Sequence, residues 1–299
     1  MDAATNPRTD SPTLQARLFV AMQYLLPQHF LSRQVHRLAR CRVKPLKNAL
    51  IGSFMRHFRP DMSEAADPEP HDYPSFNAFF TRALREDARP ADPDPAAVVS
   101  PVDATVSELG RLDGSSLPQA KGHRYTLESL LSAAGSSWTH DFHGGSFATL
   151  YLAPANYHRI HMPLAGTLRA AWYVPGRLFS VNATTAAYVP GLFARNERVV
   201  CVFAAESLVF ALVMVGALFV GSMSTVWHGE VTPRRPRTAT ALPLAAGPGG
   251  LALPRGAEVG RFNMGSTVIL LLPPGRSEWR GTLVAGSALR VGESLGRLT

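Results

Sequence analysis

The stretch Arg261-Phe262-Asn263-Met264-Gly265-Ser266-Thr267 runs directly into the apolar segment Val268-Ile269-Leu270-Leu271-Leu272. This pattern predicts a buried strand with one hydroxyl at its mouth, where geometry is fixed and water is scarce. A reactive serine suits that position. Gly265 permits strained backbone angles that bring the Ser266 hydroxyl onto the preceding carbonyl carbon, because glycine has no Cβ. The same pattern is typical of an ordinary turn before a strand, so these residues alone leave both interpretations open.

The rest of the chain predicts an α+β protein with a β-rich core, barrel-like or sandwich-like, and a helical N-terminal region. Its 299 residues, 46% of them apolar, are enough to bury a real core. We expect residues 1–60 to form the helical region and residues 61–299 to form the main domain. Cys41 and Cys201 fit neither a disulfide nor a metal spacing, which favours a reducing compartment.

Strand patterns dominate after residue 90. The predicted strands are Val98–Val106, Phe147–Leu152, Gly166–Val174, Val199–Phe203, Leu208–Phe219 and Thr267–Leu272. Short helices are predicted at Ser75–Arg82 and Thr126–Ala134. Composition also predicts linkers at Pro60–Pro74 and Arg89–Pro95 and a loop of low order at Arg234–Gly250.

The formal net charge of +8 arises in one N-terminal segment, which contains no acidic residue between Ser11 and Pro60. Its basic residues are Arg17, Arg33, Arg37, Arg40, Arg42, Lys44, Lys47, Arg56 and Arg59. Apolar residues recur there at helical spacing, with a break at Pro27. A basic amphipathic helix of this kind lies on an anionic bilayer, where each Lys or Arg contributes about 1 kcal/mol. An ordinary helix with a solvated basic face fits the pattern as well.

Neither a signal peptide nor a membrane-spanning helix is expected. The leader Met1–Pro12 is polar, and the longest apolar run, Leu208–Gly221, has 14 residues, short of the ~20 that cross a bilayer. Nucleic-acid binding is not expected either, because the positive charge shares its segment with an apolar helical face rather than with stacking aromatic residues.

Several polar groups outside the opening stretch need an explanation. Asp103 lies in a turn before a strand, His158 and His161 are three residues apart before a proline, and His123 follows a glycine. Each can be an ordinary turn, surface or loop residue. No metal site is expected at the two paired histidines, because no carboxylate or cysteine lies close by to complete a ligand set.

Five stretches form an ordered set. They are Ser100-Pro101-Val102-Asp103, Ala120-Lys121-Gly122-His123, Tyr157-His158-Arg159-Ile160-His161-Met162-Pro163, Asn196-Glu197-Arg198-Val199 and Met264-Gly265-Ser266-Thr267. In order and spacing they closely resemble the phosphatidylserine decarboxylases, over roughly residues 20–275. Two positions depart from the usual family pattern: Ala104 replaces Gly and Met264 replaces Leu. Neither change removes a functional group.

The resemblance implies a self-processing enzyme of the bacterial type, with residues 61–299 as its catalytic domain. Ser266 would attack the carbonyl of Gly265, and the resulting ester would break down to leave a pyruvoyl group in place of the serine. The chain would become a large β chain, residues 1–265, and a small α chain, residues 266–299. By the same resemblance His161 is the general base and Asp103 its partner, since a serine hydroxyl needs an imidazole to take its proton.

The implied reaction decarboxylates phosphatidylserine to phosphatidylethanolamine, with the protein peripheral at the cytoplasmic face of a bacterial inner membrane rich in anionic phospholipid. The covalent pyruvoyl group would form a Schiff base with the lipid amine and act as the electron sink. Pyridoxal phosphate would need a lysine, and only Lys121 lies outside the basic segment. His158 is expected to position the substrate carboxylate or to protonate the product carbanion. Whether the protein forms a homodimer stays open.

Two alternatives come from other functional classes. One is a serine hydrolase that uses Asp103, His161 and Ser266, although Ser266 is not framed by a Gly-x-Ser-x-Gly elbow. The other is a non-catalytic membrane-binding protein whose function is the basic helix. Chain integrity separates them from the decarboxylase, because neither alternative requires the chain to cut itself.

Overall fold

The computed structural model describes residues 13–206, 208–219, 222–232, 238–244, 250–264 and 267–299. These residues form an α+β protein with a β-rich core and a helical N-terminal region, so the predicted fold class is confirmed. Three predictions concern residues that lie wholly or partly outside this description. They are the leader Met1–Pro12, the loop Arg234–Gly250 and the reactive pair Gly265–Ser266.

The described residues begin with helices, continue with strands that short helices interrupt, and end with a run of strands. The α-helices are α1 (Leu14–Leu25), α2 (Gln28–Ala39), α3 (Lys44–Phe58), α4 (Phe76–Phe80), α5 (Leu127–Leu131), α6 (Thr139–Phe142), α7 (Ala183–Tyr188) and α8 (Leu192–Arg195). The strands are β1 (Ala97–Val99), β2 (Ala104–Arg111), β3 (Ser116–Pro118), β4 (Arg124–Thr126), β5 (Ser146–Tyr151), β6 (Arg159–His161), β7 (Gly166–Val174), β8 (Arg198–Ala204), β9 (Val209–Val215), β10 (Met223–Thr225), β11 (Gly229–Glu230), β12 (Thr240–Ala241), β13 (Ala252–Leu253), β14 (Glu258–Phe262), β15 (Thr267–Leu272), β16 (Ser277–Trp279), β17 (Ala288–Leu289) and β18 (Ser294–Leu298).

The central sheet has the order β12-β7-β8-β9-β15-β5-β2-β17, and β13 also pairs with β7. Strand β15 lies in its middle, antiparallel to β9 on one side and to β5 on the other. All six residues of β15 are buried. A strand that is covered on both faces has an uninterrupted apolar sequence, which is why Val268–Leu272 does not alternate. The strand predicted at Thr267–Leu272 is confirmed with its bounds.

A smaller sheet, in the order β11-β10-β14-β6, contains the strand that precedes the reactive pair in the chain. Strand β14 ends at Phe262, and β6 pairs with it through Arg159 opposite Arg261 and His161 opposite Glu258. This pairing holds His161 beside the strand that leads to Ser266.

Two of the predicted strands differ from the structure. Val98–Val106 is divided into β1 and β2, which belong to different sheets, because the chain turns at Ser100–Asp103. Pro101 in this turn has no N–H to give to a strand ladder. Leu208–Phe219 forms a strand only as far as Val215. Within Arg234–Gly250, the described residues include β12, which pairs with β7, so that part of the predicted loop is a strand.

Helices α1 and α2 turn polar side chains toward the core. Gln23, Gln28 and Ser32 are buried, and each side-chain oxygen accepts a backbone N–H from Leu178–Ser180 or Phe219, at 2.7, 2.9 and 3.2 Å. Val20 is buried in the core, but many of the large apolar side chains of these helices are exposed, with Leu25 86% exposed. The exposed ones are Leu14, Leu18, Met22, Tyr24, Leu25, Phe30 and Leu38. A helix that packs on its own domain normally buries most of its apolar face, so this degree of exposure is unusual.

In the described part of the chain, no helix combines the length and the apolar character that crossing a membrane requires.

The two segments predicted to be linkers pack against the core. Ala65 forms a β-bridge with Leu84, and Glu64 accepts a hydrogen bond from Arg89 Nη1 at 2.9 Å. The side chains of this pair are only 19% and 11% exposed. The composition of the two segments predicts charges in water. In the structure the charges of Glu64 and Arg89 pair with each other, which makes their partial burial tolerable.

Asn196 connects the loops that contain Phe179 and Gly216. Its side-chain oxygen accepts the N–H of Phe179 at 3.0 Å, and its side-chain nitrogen donates to the carbonyls of Phe179 and Gly216, each at 2.8 Å. Asn196 is fully buried, so water cannot replace these bonds.

We expect Asn196→Asp to lower the free energy of unfolding by about 2–4 kcal/mol, because a carboxylate cannot donate to the two carbonyls. Urea denaturation at neutral pH measures this. Asn48→Asp in α3 is the matched control, since the Asn48 oxygen accepts from Lys47 Nζ and a carboxylate keeps that bond. We expect it to change stability by less than about 0.5 kcal/mol. Equal losses in the two variants would contradict the role of Asn196.

Candidate active site

The residues on either side of the Gly265–Ser266 pair define the place of the reactive serine. Met264 follows β14, and Thr267 begins β15 between β5 and β9. Thr267 is fully buried, and its Oγ1 has no hydrogen-bond partner among the described residues. Because buried polar atoms are nearly always paired, an unpaired hydroxyl one residue from Ser266 is typical of a functional site.

His161 is a neutral imidazole with a defined tautomer. Its Nδ1 lies 2.7 Å from the carbonyl oxygen of Gly256, which can only accept, so Nδ1 carries the proton. The hydroxyl of Tyr157 donates to Nε2 at 3.2 Å. Burial lowers the pKa of His161, although the Gly256 carbonyl raises it in part. A neutral imidazole with a lone pair on Nε2 has the form that a general base requires.

Asp103 is bound by arginine. Its carboxylate accepts from Arg89 Nε and Nη2 at 2.9 and 2.7 Å and from one backbone N–H at 2.8 Å. His161 lies nearby, since its own N–H donates to the carbonyl of Pro101. Among the described residues, however, the partner of His161 Nδ1 is Gly256 and not the expected Asp103. A bidentate pair with a guanidinium is stronger than one bond to a neutral ring, and the catalytic role of Asp103 stays a prediction.

His158 is fully buried and stacks on Phe80, with ring centroids 4.1 Å apart and an interplanar angle of 21°. Its Nε2 lies 3.3 Å from the carbonyl of Pro154, and its Nδ1 has no hydrogen-bond partner among the described residues. Burial lowers the pKa of His158 to about 3, so the ring is neutral near pH 7. Both histidines of the Tyr157–Pro163 stretch are therefore interior groups rather than surface residues.

A family model described as phosphatidylserine decarboxylase matches residues 76–297, and a second, described as PSD, matches residues 18–59. The chain belongs to the phosphatidylserine decarboxylase family. The resemblance found in the sequence is thereby confirmed.

Relatives in this family match almost the whole chain. The phosphatidylserine decarboxylase proenzyme of Pseudomonas fluorescens is 51% identical over 283 residues, which cover 95% of this chain and 98% of the relative. The proenzyme of Azotobacter vinelandii is 50% identical over 291 residues, with 95% and 99% covered. That of Methylococcus capsulatus is 50% identical over 283 residues, with 95% and 97% covered.

In this phosphatidylserine decarboxylase family member, a charged cavity of about 360 Å³ lies beside Asp103. Arg82, Arg89 and Tyr157 also line it. Arg82 is 4% exposed, and no described residue is hydrogen-bonded to its Nε. Burial lowers the pKa of Arg82, while neighbouring groups, Asp103 among them, oppose that shift. The cavity thus places a cation and an acid next to the tyrosine that contacts His161.

An apolar cavity of about 280 Å³ borders the other side of the site. Met264 lines it together with Phe80, the ring that stacks on His158. Phe58 and Phe219 also line it and are 41% and 43% exposed, so the cavity reaches the surface there. The opening is therefore lined by apolar groups.

Sequence reasoning identified Asp103, His158 and His161, which the structure brings to one region, but it missed their partners. Arg89 was assigned to a linker on composition. Tyr157 belongs to the stretch that contains both histidines, and its spacing of four from His161 was the available signal. The contact from Gly256 comes through a backbone carbonyl, which no side-chain pattern reveals.

The serine hydrolase alternative gains no support from the one Gly-x-Ser-x-Gly sequence in the chain, Gly292–Gly296. Ser294 in it begins β18, and its Oγ donates to the carbonyl of Gly296. A nucleophile elbow instead requires a strand-to-helix turn that exposes the serine.

His158 should make stability depend on pH. Its pKa is about 3 in the folded state and 6.5 as a free group, so between these values the unfolded chain binds the extra proton. The stability it confers is complete above about pH 6.5 and is lost as the pH falls toward 3, by about 1.4 kcal/mol per pH unit. We expect His158→Gln to remove this slope between about pH 5 and 6 in urea unfolding. The parent protein and the His158→Gln variant both carry Ser266→Ala, so that each is measured as one uncut chain.

The control for this measurement is His140→Gln, because the His140 side chain is 79% exposed. We expect the control to keep the full pH dependence. A His158→Gln chain that keeps it too would show that the imidazole is not held neutral by burial.

Proposed function

We propose that this chain converts phosphatidylserine to phosphatidylethanolamine after cutting itself between Gly265 and Ser266. One observation carries the proposal: a single apolar cavity is bounded by Met264, two residues before Ser266, and by Phe80, which stacks on His158. A lipid substrate needs an apolar entrance that ends at the reacting groups. The relatives' printed name, proenzyme, supports a precursor that is processed.

In the proposed self-cleavage, His161 Nε2 takes the proton of the Ser266 hydroxyl as its oxygen bonds to the carbonyl carbon of Gly265. The peptide C–N bond then breaks, which leaves an ester and a free amine. Loss of the α-proton and of the Gly265 carboxylate gives dehydroalanine, and water converts this to the pyruvoyl group with release of ammonia. The lone pair that His161 offers to the serine is the one that Tyr157 occupies in this structure.

Asp103 supports this base through its charge. Burial lowers the pKa of His161, while the Gly256 carbonyl, the charge of Glu258 and, least of the three, the charge of Asp103 raise it again. The imidazolium that forms when His161 takes a proton is stabilised by the same charge. Arg89 fixes the orientation of the Asp103 carboxylate with two hydrogen bonds.

The residues around Ser266 fit a pyruvoyl group, which supplies the electron sink that amino-acid decarboxylation needs. Two buried polar atoms, Thr267 Oγ1 and His158 Nδ1, lack partners in the described chain and can bond to an incoming polar group. All three lysines are described, and none lines either cavity. Lys47 donates to the carbonyl of His71, and Lys121 contacts Tyr188. This arrangement does not suit pyridoxal phosphate.

We assign proton transfer on the substrate to His158. Since Nε2 faces a carbonyl, it carries the proton and Nδ1 holds the free lone pair. This lone pair can accept a hydrogen bond from the ammonium group of the bound lipid. Burial disfavours the charged ring, so a proton held at Nδ1 is readily given to the carbon that has lost CO₂.

We further propose that α1 and α2 rest on the anionic surface of the inner membrane at its cytoplasmic face. Their exposed side chains include large apolar ones together with basic ones such as Arg17 and Arg37, and the segment carries the excess positive charge. The N–H of Phe219 donates to Ser32 of α2, so the opening of the apolar cavity adjoins these helices. A lipid can therefore pass from the bilayer into the cavity without crossing water.

Intact mass spectrometry under denaturing conditions tests the cleavage. We expect the wild-type protein to give two fragments that part between Gly265 and Ser266, the smaller one with a pyruvoyl N-terminus. Ser266→Ala should give one chain of 32.3 kDa, less the mass of one oxygen. His161→Ala should slow cleavage by about 100-fold or more, since a general base contributes that much. A wild-type chain that remains whole would favour the hydrolase or the non-catalytic membrane protein.

Vesicle binding tests the membrane face. We expect the triple variant Leu14→Gln, Leu18→Gln, Leu25→Gln to bind phosphatidylglycerol vesicles at least about tenfold more weakly, because it removes apolar area that would enter the bilayer. Val284→Gln is the control, since Val284 is 63% exposed outside these helices. High salt should weaken but not abolish wild-type binding. Equal binding by the triple variant and the control would place the membrane contact elsewhere.

A further inference from the structure

We propose that Asn263 is a positioning residue for self-cleavage, held by a hydrogen-bond chain that runs from helix α2 through Arg40, Glu230 and Ser222. The inference rests on the proposed cleavage between Gly265 and Ser266. It extends that proposal by giving α2 a part in the reaction besides its membrane contact.

Asn263 uses its whole side-chain amide. The nitrogen donates to Ser222 Oγ at 2.6 Å and to Ser224 Oγ at 3.1 Å, and the oxygen accepts from Asn77 Nδ2 at 3.2 Å. The backbone N–H also donates to the carbonyl of Ser222 at 2.9 Å. Asn263 is 4% exposed, so water does not compete for these bonds. The residue two positions before Gly265 is thus fixed in both backbone and side chain.

Ser222 connects Asn263 to a charged group. Its hydroxyl donates to the carboxylate of Glu230 in a short hydrogen bond and accepts from Asn263 and from Arg40 Nη2, the latter at 3.2 Å. One donor and two acceptor positions are all that a hydroxyl has, so Ser222 is fully used. Arg40 also contacts Glu230 directly at 2.5 Å, and His36 Nε2 lies 3.0 Å from the same oxygen.

Glu230 stays charged in this arrangement. Burial alone would raise the pKa of Glu230, but hydrogen bonds from Ser222 and His36 and the charge of Arg40 lower it overall. An ionised acceptor orients the Ser222 hydroxyl firmly, because charge-assisted hydrogen bonds are about twice as strong as neutral ones. That orientation leaves the Ser222 lone pairs available to Asn263 and Arg40.

Such a chain matters because the attack takes place within the backbone. The Ser266 oxygen must approach the Gly265 carbonyl carbon in a near-attack geometry, and a shift of about 1 Å can cost about 100-fold in rate. Between Asn263 and Gly265 lies only Met264, whose side chain packs against apolar groups of the main core and of the smaller cluster around Phe54 and Phe80. Asn263 is therefore the nearest polar anchor upstream of the bond that breaks.

The test follows cleavage of newly synthesised full-length chain by intact mass spectrometry. We expect Ser222→Ala and Arg40→Met each to slow cleavage about tenfold. Ser222→Ala removes a side-chain hydrogen bond of Asn263, and Arg40→Met removes the hydrogen bonds that orient Ser222 and Glu230. Arg40→Lys keeps a cation that can reach Glu230 and should recover most of the wild-type rate. Each variant is also made with Ser266→Ala, and its midpoint of thermal unfolding is measured.

Arg37→Met is the matched control, because Arg37 lies exposed on the same helix. It removes the same charge and should lower vesicle binding as much as Arg40→Met does, while leaving the cleavage rate unchanged. This comparison separates the positioning role from membrane attachment.

Slower cleavage in Ser222→Ala and Arg40→Met, with rescue in Arg40→Lys and unfolding midpoints close to that of the parent, supports the proposal. If the wild-type chain is cleaved and Ser222→Ala and Arg40→Met are cleaved at the wild-type rate, this inference is overturned and the proposed function is not. Slow cleavage that Lys does not restore and that follows a lowered unfolding midpoint also overturns it. A wild-type chain that is not cut at this bond overturns the proposed function and this inference together.

Discussion

Strand β15 is hydrogen-bonded on both sides in the middle of the central sheet, and every residue in it is buried. Neither of its neighbours can move without breaking the sheet, so Thr267 is a fixed point at the end of the reactive pair. The chain on the other side, at Asn263, is fixed by side-chain hydrogen bonds. Met264 is the one described residue between these two fixed points, so the bond that we propose to break has a rigidly held neighbour on each side.

Burial determines the protonation state of the two histidines near the reactive pair. His158 and His161 differ by three positions and are both neutral because burial penalises the charged ring. Their imidazole lone pairs are on different atoms, Nδ1 in His158 and Nε2 in His161, because each ring gives its other N–H to a backbone carbonyl. The same residue type can therefore serve two separate proton transfers, one in maturation and one on the substrate.

The sequence was sufficient for the fold class, for β15 and β7 and for the positions of Asp103, His158 and His161, because local periodicity and residue type carry that information. It was insufficient for Arg89, Gly256 and Asn263. Arg89 lies in a Pro/Asp-rich segment, whose composition predicts a solvated side chain. It is buried because the fold brings Glu64 and Asp103 close enough to form ion pairs with it. Gly256 acts through its backbone, and the contacts of Asn263 come from residues about 40 positions away or more. Such pairings depend on how sheets close, which local patterns do not encode.

Helices α1 and α2 are attached to the protein by buried polar groups as well as by apolar contacts of Val20 and Tyr24. Burial of Gln23, Gln28 and Ser32 satisfies loop N–H groups that would otherwise be unpaired, and it leaves the apolar stripe for another partner. Hydrogen bonds have a preferred direction and distance, whereas apolar contacts are non-directional. An attachment of this kind keeps the helices in register with the loops at the apolar cavity. Through Arg40, Glu230 and Ser222 that register reaches Asn263, so the helices proposed to meet the membrane are connected by hydrogen bonds to the last polar anchor before the bond proposed to break.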